Sequence, residues 1–394
     1  MGIDRSSSTT GTSFVRKNHL DEANSENPAI VSPNYTNKSQ YSVLVTGGAG
    51  FLGMHIVKLL QEKAPNIKKI VVYDTKQYVN KLGHPEPKRI TSIRGDICDQ
   101  KRLKEALHGV TGVIHTAGVI SFNMFPDIET MEKVNVQGTN ALLKACIEMN
   151  VRCLVFTSTI DVVIGNNQII CGDEESTSIP QKFMFTGYPD TKHKAEVLVR
   201  EANGTKLKTD ENFVTVSLRP NIMYGEEDPY YIPNALISAK SNGGVLRQIG
   251  DGYSKFQHAY VGNVAWAHVS ALETLMSQKN YGGNEYFITD DSPVANCFTL
   301  MKPFLKAKGF SLSTKNTSYR LVYSILNAFE WALWFLKPLF GNINPQISLS
   351  SIIYLNTTIY FSSLKGRREL NYSPIFGFEE ALSMSMKFYA KLKI

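Results

Sequence analysis

The sequence has few cysteines, and they follow no recognisable pattern. Its five cysteines, Cys98, Cys146, Cys153, Cys171 and Cys297, lie far apart and include no CxxC pair. An odd, dispersed set argues against a disulfide framework and against a zinc site, and it fits a reducing compartment. We therefore expect neither structural disulfides nor a metal.

The sequence also lacks an apolar segment at its N-terminus and a basic stripe anywhere. The missing apolar segment predicts that there is no secretory signal peptide. The 42 Lys+Arg and 35 Asp+Glu residues give a formal net charge of +7, but the positive residues are scattered. This distribution predicts no nucleic-acid partner and only a weak attraction to an anionic membrane surface.

Residues 1–40 show almost no hydrophobic periodicity. They are rich in Ser, Thr and Asn, which predicts a disordered tail. The opening MGIDRS matches the myristoylation pattern through Gly2 and Ser6, although so short a pattern often arises by chance. Mass spectrometry showing an unmodified or acetylated N-terminus would exclude lipidation.

From residue 41 the chain alternates apolar runs with amphipathic stretches. Strands are predicted at 41–47, 68–74, 112–118, 152–159 and 213–220, and residues 51–63 have helical spacing. This rhythm indicates an α/β fold with a Rossmann-type doubly wound parallel sheet. After Pro220 the rhythm breaks down and aromatic residues become dense. We predict an NAD-binding domain at 41–220 and a smaller C-terminal substrate-binding lobe at 221–394.

A glycine triplet follows the first predicted strand. In VLVTGGAGFLG, Gly47 allows a tight turn, Gly50 lets backbone approach a pyrophosphate, and Gly53 permits close helix–strand packing. The first helical residues, Phe51 and Leu52, are expected to offer backbone N–H groups to the phosphates. The alternative is a glycine-rich turn without a ligand.

Acidic residues follow the next two strands. Asp74 ends the second strand, where a carboxylate binds the adenosine ribose and repels a 2′-phosphate, so NAD is predicted rather than NADP. Lys76 keeps NADP open as an alternative. Asp96 and Ile97 follow the third strand and are predicted to meet the adenine, with turn capping as the alternative.

The stretch YPDTK places Tyr188 and Lys192 four residues apart at a predicted helix start. A tyrosine acting as a base near neutral pH needs its pKa lowered by about 3 units, or about 4 kcal/mol. An ammonium at about 4 Å supplies a comparable energy at an effective dielectric constant of about 20. Pro189 favours the first helical position, which predicts that Tyr188 lies just outside the helix. The alternative is an exposed turn without chemistry.

Taken in order, these motifs resemble the extended short-chain dehydrogenases. Within them, the chain resembles the 3β-hydroxysteroid dehydrogenase/Δ5-Δ4 isomerase family from about residue 41 to the C-terminus. The matching segments are TGGAGFLG, VIHTAG, VNVQGT, FTSTIDV, YPDTKHKAE and SLRPNIMYG, followed by the more discriminating HAYVGNVAWAHVSALETL and YFITDDSP. The departures are Thr159, where the family often has Ser, the long N-terminal tail, and the individual sequence SFNMFPDIETMEKVN.

The resemblance implies roles for individual residues. Tyr188 takes the alcohol proton, Lys192 lowers the Tyr188 pKa and holds the nicotinamide ribose, and the Thr159 hydroxyl orients the substrate oxygen. Asp290 and Asp291 stand where the family places its isomerase carboxylates, although DDSP is also a good helix-capping turn. Asn135, in NVQGT, is interpreted as a structural strut.

Residues 320–340 are rich in apolar and aromatic side chains. Glu330 in the middle and Pro338 near the end argue against a membrane-spanning helix. Polar residues fall along one side, and Trp331 and Trp334 lie at the border, which predicts a helix in the membrane interface. The alternative is a core helix packed over the pocket. The apolar stretch 351–361 is expected to join the membrane face.

The leading hypothesis is NAD-dependent oxidation of a 3β-hydroxy-Δ5-steroid or sterol, followed by Δ5-to-Δ4 isomerisation. The alternatives are a sterol 4α-carboxylate 3-dehydrogenase, a nucleotide-sugar epimerase and a non-catalytic NAD-binding scaffold. The resemblance implies the cytosolic face of the endoplasmic reticulum membrane, with a mitochondrial membrane as the alternative. The oligomeric state stays open, with a homodimer as one option.

Overall fold

Seven parallel strands form the central sheet of the protein. A computed structural model describes residues 40–277, 280–340, 345 and 347–394. The Gly2 lipidation pattern and all but the last residue of the predicted tail lie outside the described residues. Residues 39–394 make up one compact unit.

The described residues contain the following strands. They are β1 Tyr41–Thr46, β2 Ile67–Asp74, β3 Arg89–Arg94, β4 Gly112–His115, β5 Cys153–Thr157, β6 Ile169–Gly172, β7 Val214–Pro220, β8 Ile222–Tyr224, β9 Val245–Leu246, β10 His258–Tyr260, β11 Glu285–Ile288, β12 Ser311–Leu312 and β13 Ile359–Phe361.

The helices alternate with the strands of the first half and dominate the C-terminal part. They are α1 Phe51–Lys63, α2 Gln100–Ala106, α3 Ile128–Met131, α4 Thr139–Glu148, α5 Tyr188–Ala202, α6 Tyr231–Ser241, α7 Val261–Ser277, α8 Cys297–Ala307, α9 Tyr319–Phe340, α10 Leu349–Leu355, α11 Leu364–Glu369 and α12 Phe378–Lys391. A π-helix, Glu132–Gly138, joins α3 to α4, and a 3₁₀-helix, Ile160–Val163, follows β5.

The sheet has the order β11-β7-β5-β4-β1-β2-β3, and every pairing in it is parallel. Strand β1 is covered on both faces, so Val43, Leu44 and Val45 are fully buried. The strand order reverses between β1 and β4, and the carboxyl ends at such a reversal form a crevice. The predicted α/β Rossmann-type fold is confirmed.

The chain returns to this sheet after the predicted domain boundary. Strand β11 pairs with β7, and α7 packs against α1. Smaller parallel pairs, β8 with β10, β9 with β12 and β6 with β13, lie outside the main sheet. The division near residue 220 and the substrate-binding lobe stay predictions.

The apolar stretch 351–361 belongs to the core, so the expectation that it joins a membrane face was wrong. Ile352, Tyr354, Ile359 and Phe361 are all buried, because α10 and β13 pack against the body of the protein. Among the described residues, no helix has the length and apolar content needed to cross a bilayer.

Candidate active site

The turn after β1 is shaped for close backbone packing. Gly47 has a φ of +69°, and a Cβ there would lie 2.7 Å from the Ala117 nitrogen. A Cβ on Gly53 would lie 2.2 Å from the Gly47 carbonyl oxygen. Helix α1 begins at Phe51 after Gly50, without a side-chain cap. The N–H groups of its first turn, including that of Leu52, can therefore bind a phosphate.

Asp74 connects this turn to the end of β2. Its Oδ2 accepts a hydrogen bond from the Ala49 N–H at 3.0 Å, and its Oδ1 accepts one from the Lys76 N–H at 2.9 Å. Each carboxylate oxygen has lone pairs for more than one hydrogen bond, so both can also accept from a ribose diol. The glycine turn and Asp74 therefore fit a dinucleotide without a 2′-phosphate.

Asp96 and Ile97 lie at the end of β3. The Asp96 Oδ1 accepts from the Cys98 N–H at 2.8 Å, and the Asp96 carbonyl oxygen accepts from the Tyr73 hydroxyl at 2.8 Å. Ile97 is buried against Gly138 of the π-helix. These contacts are those of the turn-capping alternative, and an adenine contact by either residue stays a prediction.

Thr159, Tyr188 and Lys192 are all buried, and each is at most 7% exposed. Thr159 follows β5 and caps the 3₁₀-helix, while Tyr188 and Lys192 lie one turn apart on α5. Tyr188 is the first residue of α5 and not a residue outside it, because Gly187, with a φ of +84°, makes the turn into the helix.

The pKa values of Tyr188 and Lys192 differ from the expectation that Lys192 lowers the pKa of Tyr188. Burial raises the pKa of Tyr188, and nearby Asp161 raises it further, while a hydrogen bond with Thr159 lowers it. Burial lowers the pKa of Lys192 to about 7, against an opposing effect of Glu196. The Lys192 Nζ lies 4.1 Å from the ring centroid of Phe156. The side chains by themselves therefore do not lower the Tyr188 pKa, because desolvation outweighs the favourable contacts.

Asp161 is a residue of this site that the sequence analysis missed. It is 8% exposed, and its Oδ2 accepts a hydrogen bond from the Thr159 hydroxyl at an oxygen–oxygen distance of 2.8 Å. The Thr159 Oγ1 accepts from the Asp161 N–H at 3.2 Å. Burial raises the pKa of Asp161 to about 6. Its place two residues after Thr159, at the start of a capped helix, was a visible signal.

Asn135 links two segments of the site, as predicted for a structural strut. Its Oδ1 accepts from the Val119 N–H at 2.8 Å, and its Nδ2 donates to the Val119 carbonyl at 2.9 Å. The Nδ2 also donates to the Thr191 hydroxyl at 3.1 Å. Asn135 thus ties the loop after β4 to α5 and fixes the position of the helix that carries Tyr188 and Lys192.

Asp290 and Asp291 have contacts of a different kind. Asp290 is buried and accepts hydrogen bonds from the Tyr260 N–H, the Asn263 side-chain amide and the Ser292 N–H. Asp291 forms a surface ion pair with Arg367 at 2.8 Å. In the described structure, no hydrogen bond or ion pair joins either carboxylate to the site around Tyr188. Their isomerase role stays a prediction.

An aromatic wall lines one side of Tyr188. The Phe122 ring lies 5.3 Å from Tyr188 and 4.7 Å from Phe185, and Tyr354 lies 5.3 Å from Phe185. The Tyr354 hydroxyl is buried without a hydrogen-bond partner among the described residues. Tyr354 comes from α10, and no sequence motif links it to the site. The wall makes the surroundings of Tyr188 apolar.

A Rossmann fold with a buried Thr, Tyr and Lys beyond the glycine turn defines an extended short-chain dehydrogenase. The model of the 3-beta hydroxysteroid dehydrogenase/isomerase family matches residues 44–320. The chain belongs to this family. With the dinucleotide fit of Asp74 and the glycine turn, membership makes it an NAD-dependent oxidoreductase.

Several solved structures share the fold. One is a UDP-glucuronic acid 4-epimerase mutant from Bacillus cereus with NAD and a fluorinated sugar nucleotide, at 21% identity and a TM-score of 0.65, covering 89% of this chain and 100% of that one. Another is the dTDP-glucose 4,6-dehydratase DesIV from Streptomyces venezuelae, a double mutant with NAD bound, at 21% identity and a TM-score of 0.63, covering 89% and 97%. The epimerase Mth375 from Methanothermobacter thermautotrophicus has 19% identity and a TM-score of 0.65, covering 90% and 93%.

Proposed function

We propose that the protein oxidises the 3β-hydroxyl group of a Δ5-steroid or sterol to a ketone, with NAD as the acceptor. The observation that carries this proposal is the buried group of Thr159, Tyr188 and Lys192 behind an aromatic wall. Family membership supports the same substrate class. A nucleotide sugar needs a polar pocket with partners for its hydroxyl groups, so the aromatic wall favours an apolar ring system.

In this proposal, side chains of the protein take the proton of the substrate hydroxyl and stabilise the negative charge that develops. When NAD is bound, its nicotinamide ring supplies the acceptor for the carbinol hydride. Tyr188 takes the hydroxyl proton, and the Thr159 hydroxyl, which lowers the Tyr188 pKa against the effect of burial, orients the substrate oxygen. Lys192, as an ammonium, stabilises negative charge that develops on Tyr188. The aromatic wall excludes water and so strengthens these interactions.

Isomerisation to the Δ4-3-ketone is a second step of the proposal. It requires one group to remove a proton from C4 and another to return a proton to C6. Asp290 and Asp291 are the candidates from the family resemblance, but their hydrogen bonds support a structural role equally well. Conjugated-enone absorbance in the reaction mixture decides between the two.

We extend the proposal to docking of α9 on a membrane surface, where a sterol is dissolved. Its large apolar side chains are exposed by 44 to 66% at Leu321, Ile325, Phe329, Trp331, Trp334 and Phe335. Glu330 is half-buried and accepts a hydrogen bond from the Leu349 N–H of α10. The apolar side of α9 thus faces away from the body, which suits a lipid interface better than a core. The cytosolic face of the endoplasmic reticulum is the proposed location, on the family resemblance alone.

The deciding experiment is oxidation of a Δ5-3β-hydroxysteroid by the detergent-stabilised full chain with NAD⁺. We expect NADH absorbance to rise, with conjugated-enone absorbance following if the isomerase is present. NADH formation only with a 4α-carboxysterol would favour the decarboxylating sterol 4α-carboxylate 3-dehydrogenase. No reaction on any sterol, with NAD still bound, would overturn the proposal and favour a non-catalytic scaffold.

A further inference from the structure

We propose that His115 is a positioning residue that fixes the helix carrying Tyr188 and Lys192 relative to the glycine turn. This inference rests on the proposed oxidation, because the helix it fixes carries the residues assigned to the proton and the charge. His115 ends β4 and is fully buried. It lies in a chain of hydrogen bonds that runs from the end of β1 to the first turn of α5.

The chain of hydrogen bonds begins beside the glycine turn. Thr46 ends β1, directly before Gly47, and its Oγ1 lies 2.7 Å from the His115 Nδ1. The same Oγ1 accepts a hydrogen bond from the Ala117 N–H at 3.3 Å. Ala117 is also the residue against which Gly47 packs. His115 is thus bonded to the segments that shape the glycine turn.

The other nitrogen of the His115 ring leads to α5. Nε2 lies 2.9 Å from the Thr139 Oγ1, and the Thr139 hydroxyl donates to the Asn135 carbonyl oxygen at 2.6 Å. The Asn135 Nδ2 donates to the Thr191 hydroxyl, which in turn donates to the Tyr188 carbonyl oxygen at 2.9 Å. The linking side chains from His115 to Thr191 are each at most 1% exposed. Their hydrogen bonds therefore lie in a low-dielectric environment, which strengthens them.

The proton positions follow from these contacts. Two oxygens 2.6 Å apart need a proton between them, and a carbonyl cannot supply one, so the Thr139 proton points to Asn135. The His115 Nε2 must therefore carry a proton and donate it to the Thr139 Oγ1. A neutral imidazole has only one N–H, so the His115 Nδ1 accepts from the Thr46 hydroxyl. The neutral Nε2–H form thus accounts for both contacts of the ring.

The neutral form of His115 is also the favoured one. Burial and, after it, the charge of Lys192 lower the pKa of His115 to about 3. A protonated ring would donate from Nδ1 as well, so the Thr46 proton would lose its acceptor on the ring. The Phe156 ring lies 5.4 Å from the His115 ring and 4.1 Å from the Lys192 Nζ. His115 therefore keeps its hydrogen bonds at neutral pH, one side chain away from Lys192.

The test is Thr139→Val, which keeps the shape of the side chain but removes the hydroxyl between His115 and Asn135. We expect kcat for steroid oxidation to fall by about 10- to 100-fold, because α5 is no longer held in place, with the KM for steroid and the Kd for NAD largely unchanged. Thr139→Ser should restore kcat, because serine keeps the hydroxyl. Thr274→Val is the matched control and should keep kcat, since Thr274 is also buried and donates to a backbone carbonyl, that of Leu370 at 3.1 Å.

Nitrogen-15 NMR of the histidine rings gives a readout that does not depend on activity. We expect His115, assigned by comparison with His115→Gln, to show the neutral Nε2–H tautomer and no titration between pH 5 and 8. This measurement is made on the wild-type protein, so it tests the hydrogen bonds of the ring even if Thr139→Val does not fold.

Three results would overturn the positioning role. They are titration of His115 between pH 5 and 8, full kcat in Thr139→Val, and equal losses of kcat in Thr139→Val and Thr274→Val. Wild-type protein that oxidises no sterol would instead overturn the proposed function, whatever the NMR spectra show. The two failures are therefore distinguishable.

Discussion

The end of β5 and the turn after β11 each bury a carboxylate, but with different sets of hydrogen-bond donors. Asp161 is 8% exposed and Asp290 is 4% exposed. Asp290 accepts from two backbone N–H groups and one side-chain amide, and a hydrogen bond with the Ser292 side chain also opposes the rise of its pKa. The Asp161 carboxylate accepts from the Thr159 hydroxyl at 2.8 Å. Burial alone therefore does not distinguish a structural carboxylate from a functional one, so the comparison depends on what each substitution does to stability and to activity.

The largest expected effect is at Tyr188, in the candidate site that follows β5. Tyr188→Phe should reduce kcat for steroid oxidation by about 10²- to 10⁴-fold, because the reaction loses the group that takes the alcohol proton. Steady-state kinetics and NAD titration measure this, and the Kd for NAD should stay unchanged. Tyr253→Phe, at a tyrosine that is 82% exposed, is the control. Undiminished turnover of Tyr188→Phe would remove Tyr188 from the chemistry.

At the β11 turn, the expected loss is in stability. Asp290→Ala leaves the donors at Tyr260, Asn263 and Ser292 without their acceptor and should lower the free energy of unfolding by about 3 kcal/mol. Denaturant unfolding measures the loss, and NADH formation should persist in the folded fraction. Asp291→Ala should cost under about 1 kcal/mol, since its ion pair with Arg367 is at the surface. A stable Asp290→Ala variant without NADH formation would contradict a structural role.

At Lys192, a substitution is expected to change activity and stability in opposite directions. Its pKa is lowered to about 7 by burial, so the folded state disfavours the ammonium. The resulting destabilisation is fully present below pH 7 and disappears as pH rises towards the unfolded-state pKa. Lys192→Met should therefore abolish activity yet raise the free energy of unfolding by about 2 kcal/mol below pH 7, with a smaller gain at pH 10.

Urea unfolding at several pH values measures this effect. Lys194→Met is the control with the opposite sign, because exposed Lys194 pairs with Asp190 and its pKa is raised. That variant should be unchanged or slightly less stable near neutral pH. A loss of stability in Lys192→Met below pH 7 would mean that the contact with Phe156 outweighs the cost of burying the charge.

The smallest effect is expected at α9, in the C-terminal part of the chain. Replacing Trp331 and Trp334 with Ser should weaken vesicle binding several-fold, because both indoles are more than half exposed and suit the interface. Flotation with anionic vesicles measures this, and kcat on detergent-dissolved steroid should stay unchanged. Tyr253→Ser, elsewhere on the surface, is the control. Equal flotation of both variants would contradict docking through α9.

Local patterns predicted the first half of the chain well. Helix α1 has the predicted bounds, and strands β1, β2, β4, β5 and β7 fall within about two residues of the predicted runs or end inside them. Periodicity did not reveal the π-helix Glu132–Gly138, because one extra residue per turn barely changes an apolar pattern. It also could not tell that 351–361 is core, since apolar residues suit both a core and a lipid surface.

The positions of the candidate site residues could be predicted where those residues are neighbours in sequence. Tyr188 and Lys192 share one helix turn, and the glycine turn with Asp74 follows from one strand–helix–strand unit. Tyr354 could not be found in this way, because α10 reaches the site only through tertiary packing. The raised Tyr188 pKa was missed for the same reason, since burial depends on what covers the phenol and not on the spacing to Lys192.

The sequence by itself determined the parallel sheet, the phosphate turn and the identity of the groups that can move a proton. Those features depend on side-chain periodicity, on glycine conformation and on short spacings, all of which a single segment contains. Only the tertiary structure decided that Asp161 and Asp290 are buried, which wall encloses Tyr188 and which side of α9 points outward. Desolvation arises where segments that are distant in the chain pack together, so no local pattern encodes it.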